Sequence, residues 1–257
     1  MIHGVNSERS RPTTASPQSE SLPRARELLC STCLGRSIGI CAPLDDQRLA
    51  HLLSLGRRQR WNKGQLMFQA GDPMGYFYKV TKGIALIFRS LQDGRRQIVG
   101  VHSIGDLCGY LEKDATYNFS GVALTDVEAC SFHRRRFDDL VARNPDLGSA
   151  LANDMSDKLK RAAEHMAVLG QLKSTERVAY FLLQLAEVYN RKMAQSEPLQ
   201  LHLTREQIAD HLGLRLETVS RSFTVLKNNR LIGLVGSDAV AILDRRRLAE
   251  FARLGTV

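Results

Sequence analysis

The sequence predicts an α+β chain: an antiparallel β jelly-roll barrel, a long helix suited to dimerisation, and a C-terminal winged helix-turn-helix. Three observations carry this. Between Trp61 and Phe132, short apolar segments alternate with glycine-containing turns at a regular interval, as in an antiparallel barrel. Beyond Asn144-Pro145, a stretch free of internal proline repeats apolar residues at intervals of four and three, the pattern of a coiled-coil seam. From Leu203 to Arg230, two helical patterns flank Gly213. The expected units are residues 1–25 as a disordered tail, 26–143 as a cysteine loop and barrel, 144–173 as the dimerisation helix, and 174–257 as the winged module.

Composition bounds the reading. A chain of 257 residues with 43% hydrophobic and 25% charged residues suits a soluble, two-domain globular protein. A net charge of +9 and a pI near 9.6 favour an acidic partner such as nucleic acid. No apolar run approaches the ~20 residues of a membrane span, and the N-terminus lacks a hydrophobic signal core. A cytoplasmic location follows, where the five cysteines are expected as thiols or metal ligands rather than disulfides. No nucleophile–base constellation or glycine-rich phosphate loop supports an enzyme, and scattered histidines such as His51 and His165 read as surface or core residues.

Residues 1–25 are rich in Ser, Thr, Pro and charge, with little to bury. Cys30, Cys33 and Cys41 then fall within one short glycine-containing loop. That spacing lets thiolates converge on a metal or cluster. A fourth ligand is missing locally; Cys130, Cys108 and His133 are candidates, and spacing does not choose between zinc and an iron–sulfur cluster.

The barrel segments are Leu66–Phe68, Tyr76–Val80, Ile84–Phe88, Ile98–His102 and Val127–Phe132, punctuated by turn glycines. A short helix over Phe137–Arg143 is expected next. Asn144-Pro145 offers an N-cap followed by proline at N1. The helix beyond it runs to about Leu172, with Leu151, Met155, Leu159, Ala162, Met166 and Leu169 on its seam. One seam in one chain wants a second copy, so a homodimer is expected. Thr175–Arg191 forms a further amphipathic helix, and the polar Gln195–Pro198 stretch leads into the last module.

Thr204 and Gln207 form a capping box that opens a short helix burying Ile208, Ala209 and Leu212, which Gly213 ends. The second helix places Leu216, Val219, Phe223 and Leu226 inward, and Glu217, Ser220, Arg221 and Thr224 along one exposed stripe. Such a stripe matches the major groove of double-stranded DNA, where Arg donates to guanine and Glu accepts from cytosine. Arg215, Lys227 and Arg230 flank it and suit phosphates. Leu231–Val235 and Ala239–Leu243, separated by Gly236-Ser237-Asp238, read as a two-stranded wing. Arg134-Arg135-Arg136 and Arg245-Arg246-Arg247 read most simply as solvated faces.

With these parts in order, the chain resembles the Crp/Fnr superfamily of bacterial transcription regulators from about Cys30 onward. The barrel motif is carried by Lys63-Gly64, Ala70-Gly71-Asp72, Lys82-Gly83 and Gly105-Asp106-Leu107, and Glu217-Thr218-Val219-Ser220-Arg221 looks like the Fnr-branch signature. The resemblance implies that Glu217, Ser220 and Arg221 read palindromic TTGAT-type half-sites, and that RNA polymerase is a partner. It also implies that Cys30, Cys33, Cys41 and Cys130 hold an oxygen-labile [4Fe-4S] cluster, leaving Cys108 as a core thiol. Cyclic-AMP-binding relatives carry an Arg-Ser pair where this chain reads Tyr117-Asn118-Phe119-Ser120-Gly121, so no cyclic nucleotide is expected. The spacing Cys-x2-Cys-x7-Cys is longer than in the best-known Fnr members. At the seam position of Ala162 the archetype places an acidic residue that disfavours dimers, so dimerisation is expected to depend less on the cluster here. The alternative is the same DNA-binding dimer with structural zinc or no metal, controlled by another small molecule.

Overall fold

The computed structural model describes residues 30, 32–110, 116–190 and 198–253; the expected disordered tail and the polar stretch at 195–197 lie outside them. The cysteine loop closes in a short 3-10 turn, Gly39–Cys41, before helix α1 (Asp46–Leu55). Asp45 caps α1, its carboxylate accepting from the Arg48 backbone N–H at 2.8 Å. The barrel strands follow: β1 (Gly56–Trp61), β2 (Leu66–Phe68), β3 (Tyr76–Lys82), β4 (Ala85–Ser90), β5 (Arg96–His102), β6 (Leu107–Cys108), β7 (Ser120–Ala123) and β8 (Val127–His133). They form two antiparallel sheets, ordered β1-β8-β3-β6 and β2-β7-β4-β5.

Alternation along the strands separates two cores. Tyr78, Val80, Val127 and Ala129 face the barrel interior with Met67, Phe68 and Tyr117, where Tyr117 stacks on Phe68 at 4.6 Å. Phe77, Lys79, Cys130 and Phe132 lie on the opposite face of the β1-β8-β3-β6 sheet. Phe77 and Phe132 there join Ile40, Leu49, Leu52, Phe137, Leu147 and Leu151 in a second core. The cysteine loop, α1, α2 (Arg134–Arg143) and the first turns of α3 (Pro145–Gln171) cover that face.

Helix α2 begins three residues earlier than the sequence indicated, and Arg134 is not a solvated charge. Its guanidinium lies 4.0 Å from the Tyr110 ring centroid and pairs with Asp138 at 2.9 Å. The seam of α3 also divides. Leu151 is buried against its own chain's second core, correcting its assignment to the intermolecular seam, and Met155 is half-buried against the same core. Leu159, Ala162 and Met166 are exposed; Leu159 and Met166 keep 70% and 66% of their surface open.

Helix α4 (Ser174–Asn190) leads to a three-stranded sheet, β10-β11-β9, and to α5 (Arg205–Leu212), α6 (Leu216–Asn228) and α7 (Arg245–Phe251). The wing strands β10 (Ile232–Val235) and β11 (Ala239–Ile242) are joined by β9 (Leu199–Gln200), which pairs with β11. The module rests on the barrel. Asp210 meets Arg96 of β5 at 3.4 Å, Gln97 donates to the His211 carbonyl at 3.2 Å, and His211 Nδ1 lies 3.1 Å from the Ile98 carbonyl. Ile84, Leu86, Ile98 and Leu124 share one apolar cluster with the core of this module.

Candidate nucleic-acid interface and cysteine site

The interface starts from a local motif. Thr204 Oγ1 accepts from the Gln207 backbone N–H at 3.1 Å, and Gln207 Oε1 accepts from the Thr204 N–H at 2.9 Å, completing the capping box. Gly213 closes α5 at φ 61°, in the left-handed region where a Cβ is penalised. Ile208, Ala209 and Leu212 of α5 are buried against Val219, Phe223 and Leu226 of α6. Leu216 departs from that set. It stands in the first turn of α6 with 46% of its surface open, ahead of the point where α5 crosses.

Buried beside Phe223 is Ser222, whose hydroxyl donates to the Thr218 carbonyl at 2.8 Å. The sequence pattern also did not indicate Arg205, whose guanidinium lies 3.3 Å from the Phe223 ring centroid and braces the two helices by a cation–π contact. Burial holds its pKa below the ordinary arginine value. On the other side of α6, Glu217, Ser220, Arg221 and Thr224 are all exposed, flanked by exposed Arg215, Lys227 and Arg230. Docking on the barrel leaves this stripe open.

The cysteine site is assembled from distant segments. Antiparallel register sets Cys130 of β8 opposite Arg58 of β1 on one side and Lys79 of β3 on the other. Cross-strand partners share a face with Cβ atoms about 4.5–5.5 Å apart. Above this row the loop brings Cys30 and Cys33 with Cys130 around a cavity of about 50 Å³. A side chain added at Gly35 would begin 3.6 Å from Cys33 Sγ and 3.4 Å from Lys79 Nζ. The loop is seated through Ile40, fully buried among Leu147, Leu151 and Phe137. It is also seated through Ile38, which presses on Gly105 (φ 95°) so closely that no side chain would fit there.

Electrostatics tie all four sulfurs together. Burial pushes the Cys130 thiol up to about 12, and Cys41, Cys30 and Cys33 push the same way while Lys79 opposes them. Burial likewise raises Cys30, reinforced by Cys33 and Cys41 and opposed by Lys79 and Arg36. A bound cation would favour the thiolate forms of such a set. Among the described residues, no three His, Cys, Asp or Glu side chains close on a single ion. Zinc would need its sulfurs about 2.3 Å from one centre, whereas a cluster spreads its ligands over its own corners. Of the other candidates for fourth ligand, Cys108 is buried beside Tyr78 in the barrel interior, its thiol pushed to about 12 by desolvation. His133 stands at the end of β8, its ring edge-on to Tyr76 at 5.3 Å.

A second cavity, of about 520 Å³, lies between the barrel, α3 and helices α4 and α5, bordered by His102, Arg161, Ala162, His165, Phe181 and His211.

A barrel joined through a long helix to an exposed recognition helix has the architecture of a DNA-binding regulator rather than an enzyme. Comparison with known proteins agrees with this. Residues 176–251 match the Crp-like helix-turn-helix domain, and residues 58–144 match the cyclic nucleotide-binding domain. The nitrogen fixation regulation protein FixK of Bradyrhizobium diazoefficiens is 34% identical over 223 residues, covering 87% of this chain and 93% of that protein. The transcriptional activator protein FnrL of Cereibacter sphaeroides is 34% identical over 227 residues, covering 87% and 91%. The structure of FixK2 from Bradyrhizobium japonicum superimposes with a TM-score of 0.71 at 28% identity, covering 78% of this chain and 99% of that one. The chain belongs to the Crp/Fnr family of transcription regulators.

Proposed function

We propose that this protein is a homodimeric transcriptional activator of the Fnr type, working in the cytoplasm and responding to oxygen through a [4Fe-4S] cluster held by Cys30, Cys33, Cys41 and Cys130. One observation carries the reading. The loop bearing three cysteines is wedged, through Ile38 and buried Ile40, between the barrel face that bears Cys130 and the first turns of α3. When bound, the cluster supplies a centre that oxygen oxidises and dismantles. The protein's part is mechanical: with all four thiolates engaged, the loop is tied to β8 and presses on α3. The exposed seam of Leu159, Ala162 and Met166 then meets its copy. Two α6 helices are thereby set about one DNA turn apart.

In this reading Glu217, Ser220 and Arg221 read TTGAT-type half-sites, Arg215 and Lys227 bind phosphates, and RNA polymerase is contacted from the same assembly. Activation by a cyclic nucleotide is not proposed. The segment that would hold the cyclic phosphate contributes the Tyr117 ring to the barrel core and offers no arginine. The absence, among the described residues, of any helix long and apolar enough to cross a membrane is consistent with a DNA-bound role.

The test is anaerobic purification with iron and sulfide analysis, and footprinting on a TTGAT palindrome before and after air. A visible absorption band and a footprint that fade together support the proposal. A protein that stays colourless after anaerobic reconstitution refutes the cluster while leaving the DNA-binding regulator intact.

A further inference from the structure

Lys79 is among the most deeply buried side chains of the molecule, with 2% of its surface open. An isolated ammonium in such a place is costly unless an anion compensates it. Among the described residues no carboxylate pairs with it; Nζ donates to the Gly35 carbonyl at 2.5 Å. The neighbouring arginine of the same row, Arg58, is engaged by Glu128 at 2.6 Å and leaves Lys79 no share of that carboxylate. Sulfur is close at hand. Cys130 is its cross-strand partner, and Cys33 Sγ lies on the other side of Gly35. Arg36, on the loop, donates to the carbonyls of Cys41 and Leu44 and likewise pairs with no carboxylate among the described residues.

We propose that Lys79 is the built-in counter-charge of the cysteine site: seated opposite Cys130 and tied to the loop at Gly35, its ammonium offsets the negative charge of the thiolate-held cluster and sets how readily oxygen attacks it. The proposal rests on the cluster reading above. Four thiolates around a dicationic core carry a net double negative charge, and Lys79 and Arg36 together bring it to neutrality. A fixed positive charge a few ångströms away favours the more reduced state of the centre, raises its reduction potential and slows its oxidation. The bond to Gly35 adds a second effect, because the same ammonium holds the loop onto β3 and so onto the sheet that carries Cys130.

The experiment uses the full chain, wild type, Lys79→Met and Lys79→Arg, reconstituted anaerobically with iron and sulfide. Iron content, reduction potential and the rate of bleaching in air are measured, together with the melting temperature of each metal-free protein. Expected for Lys79→Met are a lower potential and bleaching faster by about tenfold, the scale set by a nearby charge at a protein site's effective permittivity. Lys79→Arg is expected to recover most of both, and metal-free Lys79→Met to melt no lower than wild type, because a buried charge has been removed. A wild type that takes up no cluster overturns the cluster reading and the proposal together. Loaded wild type and Lys79→Met with the same potential and bleaching rate overturn the counter-charge alone. Equal behaviour of the Met and Arg variants, or a metal-free Lys79→Met that is unfolded, assigns Lys79 a structural role and also overturns it.

Discussion

The recognition module and the cysteine site are built in opposite ways. The first is contiguous: cap, turn, buried stripe and exposed stripe all fall between Thr204 and Lys227, and each is set by helical periodicity. The second is a product of tertiary register: Cys130 meets the loop cysteines only because β8 lies between β1 and β3. A contiguous site tolerates change elsewhere in the chain, whereas an assembled site depends on everything that seats its parts. Lesions in the recognition module are therefore expected to leave the cysteine site loaded, whereas lesions in the cysteine site reach DNA only through the dimer, and that one-way dependence can be attacked directly.

The largest effects come from the chemistry of each site. Cys130→Ser is expected to abolish stable iron–sulfur uptake while leaving the exposed stripe of α6 able to bind DNA non-specifically. Arg221→Ala is expected to leave iron content unchanged and to lose about 1–3 kcal/mol of discrimination at one base position. Lys227→Ala, by contrast, weakens all sequences alike and lowers the salt dependence by about one counterion. Binding isotherms on specific and scrambled duplexes across salt separate the two. If Arg221→Ala also emptied the cysteine site, the dependence would not be one-way. Larger in free energy, but felt in stability rather than in either site's chemistry, is Phe223→Ala, which removes the ring between Arg205 and the buried face of α6. A cost of about 3–5 kcal/mol is expected for a fully buried aromatic, read as a lower denaturant midpoint.

Legibility in the sequence follows the same division. The capping box, the Gly213 turn, the wing and five barrel strands stand in the structure where apolar periodicity placed them, within a residue or two. Leu216 misleads because periodicity puts it on the buried face, although its turn of α6 precedes the helix crossing. Leu151 misleads for a related reason: a seam pattern records apolar spacing and not which surface, own chain or partner, covers it. Strand β1, Gly-Arg-Arg-Gln-Arg-Trp, shows no apolar alternation because most of its side chains face solvent, and α1 lies in a stretch given no element from the sequence. Without β1, β8 and β3 in register, neither the Arg58–Cys130–Lys79 row nor the burial of Lys79 is readable. Geometry supplies the shared neighbourhood of the four cysteines, which spacing could supply only for three.

The contact between the two regions is itself testable by pH. His211 of α5 is stacked on His165 of α3 at 4.5 Å, lies edge-on to Phe181 of α4 at 5.7 Å, and meets the Ile98 carbonyl of β5. Burial pushes its pKa down to about 4 from 6.5, and His165 pushes the same way. For a base with a lowered folded pKa, the unfolded or undocked form binds the proton more tightly. Docking is therefore fully stable above about pH 6.5, weakens as pH falls, and has lost all of this contribution below about pH 4. His102, lowered to about 4 by burial, titrates in the same window at the cavity between the barrel and α3. The test is accordingly a difference: His211→Phe is expected to flatten part of the decline in melting temperature between pH 6.5 and 4. An unchanged slope would assign the whole decline to other groups.

The smallest effects give the most direct comparison, because each region contains a side-chain cap of the same kind. Thr204 caps α5 with a reciprocal bond from Gln207, and Asp45 caps α1 by accepting from the Arg48 N–H. Removing either by alanine is expected to cost about 1 kcal/mol, the ordinary worth of a cap. Asp45 also lies 3.6 Å from Arg48 at an exposed position, where an ion pair adds little, so the two substitutions are close to matched. What distinguishes them is where the loss is felt. Asp45→Ala loosens a helix packed over the cysteine loop through Leu49 and Leu52 and is expected to quicken bleaching of the cluster in air without altering DNA affinity while the cluster is intact. Thr204→Ala frays the helix that supports α6 and is expected to do the reverse. Hydrogen exchange of the α1 and α5 amides, read beside both assays, decides it: crossed effects would mean that the β5–α5 contact welds barrel and recognition module into one cooperative unit.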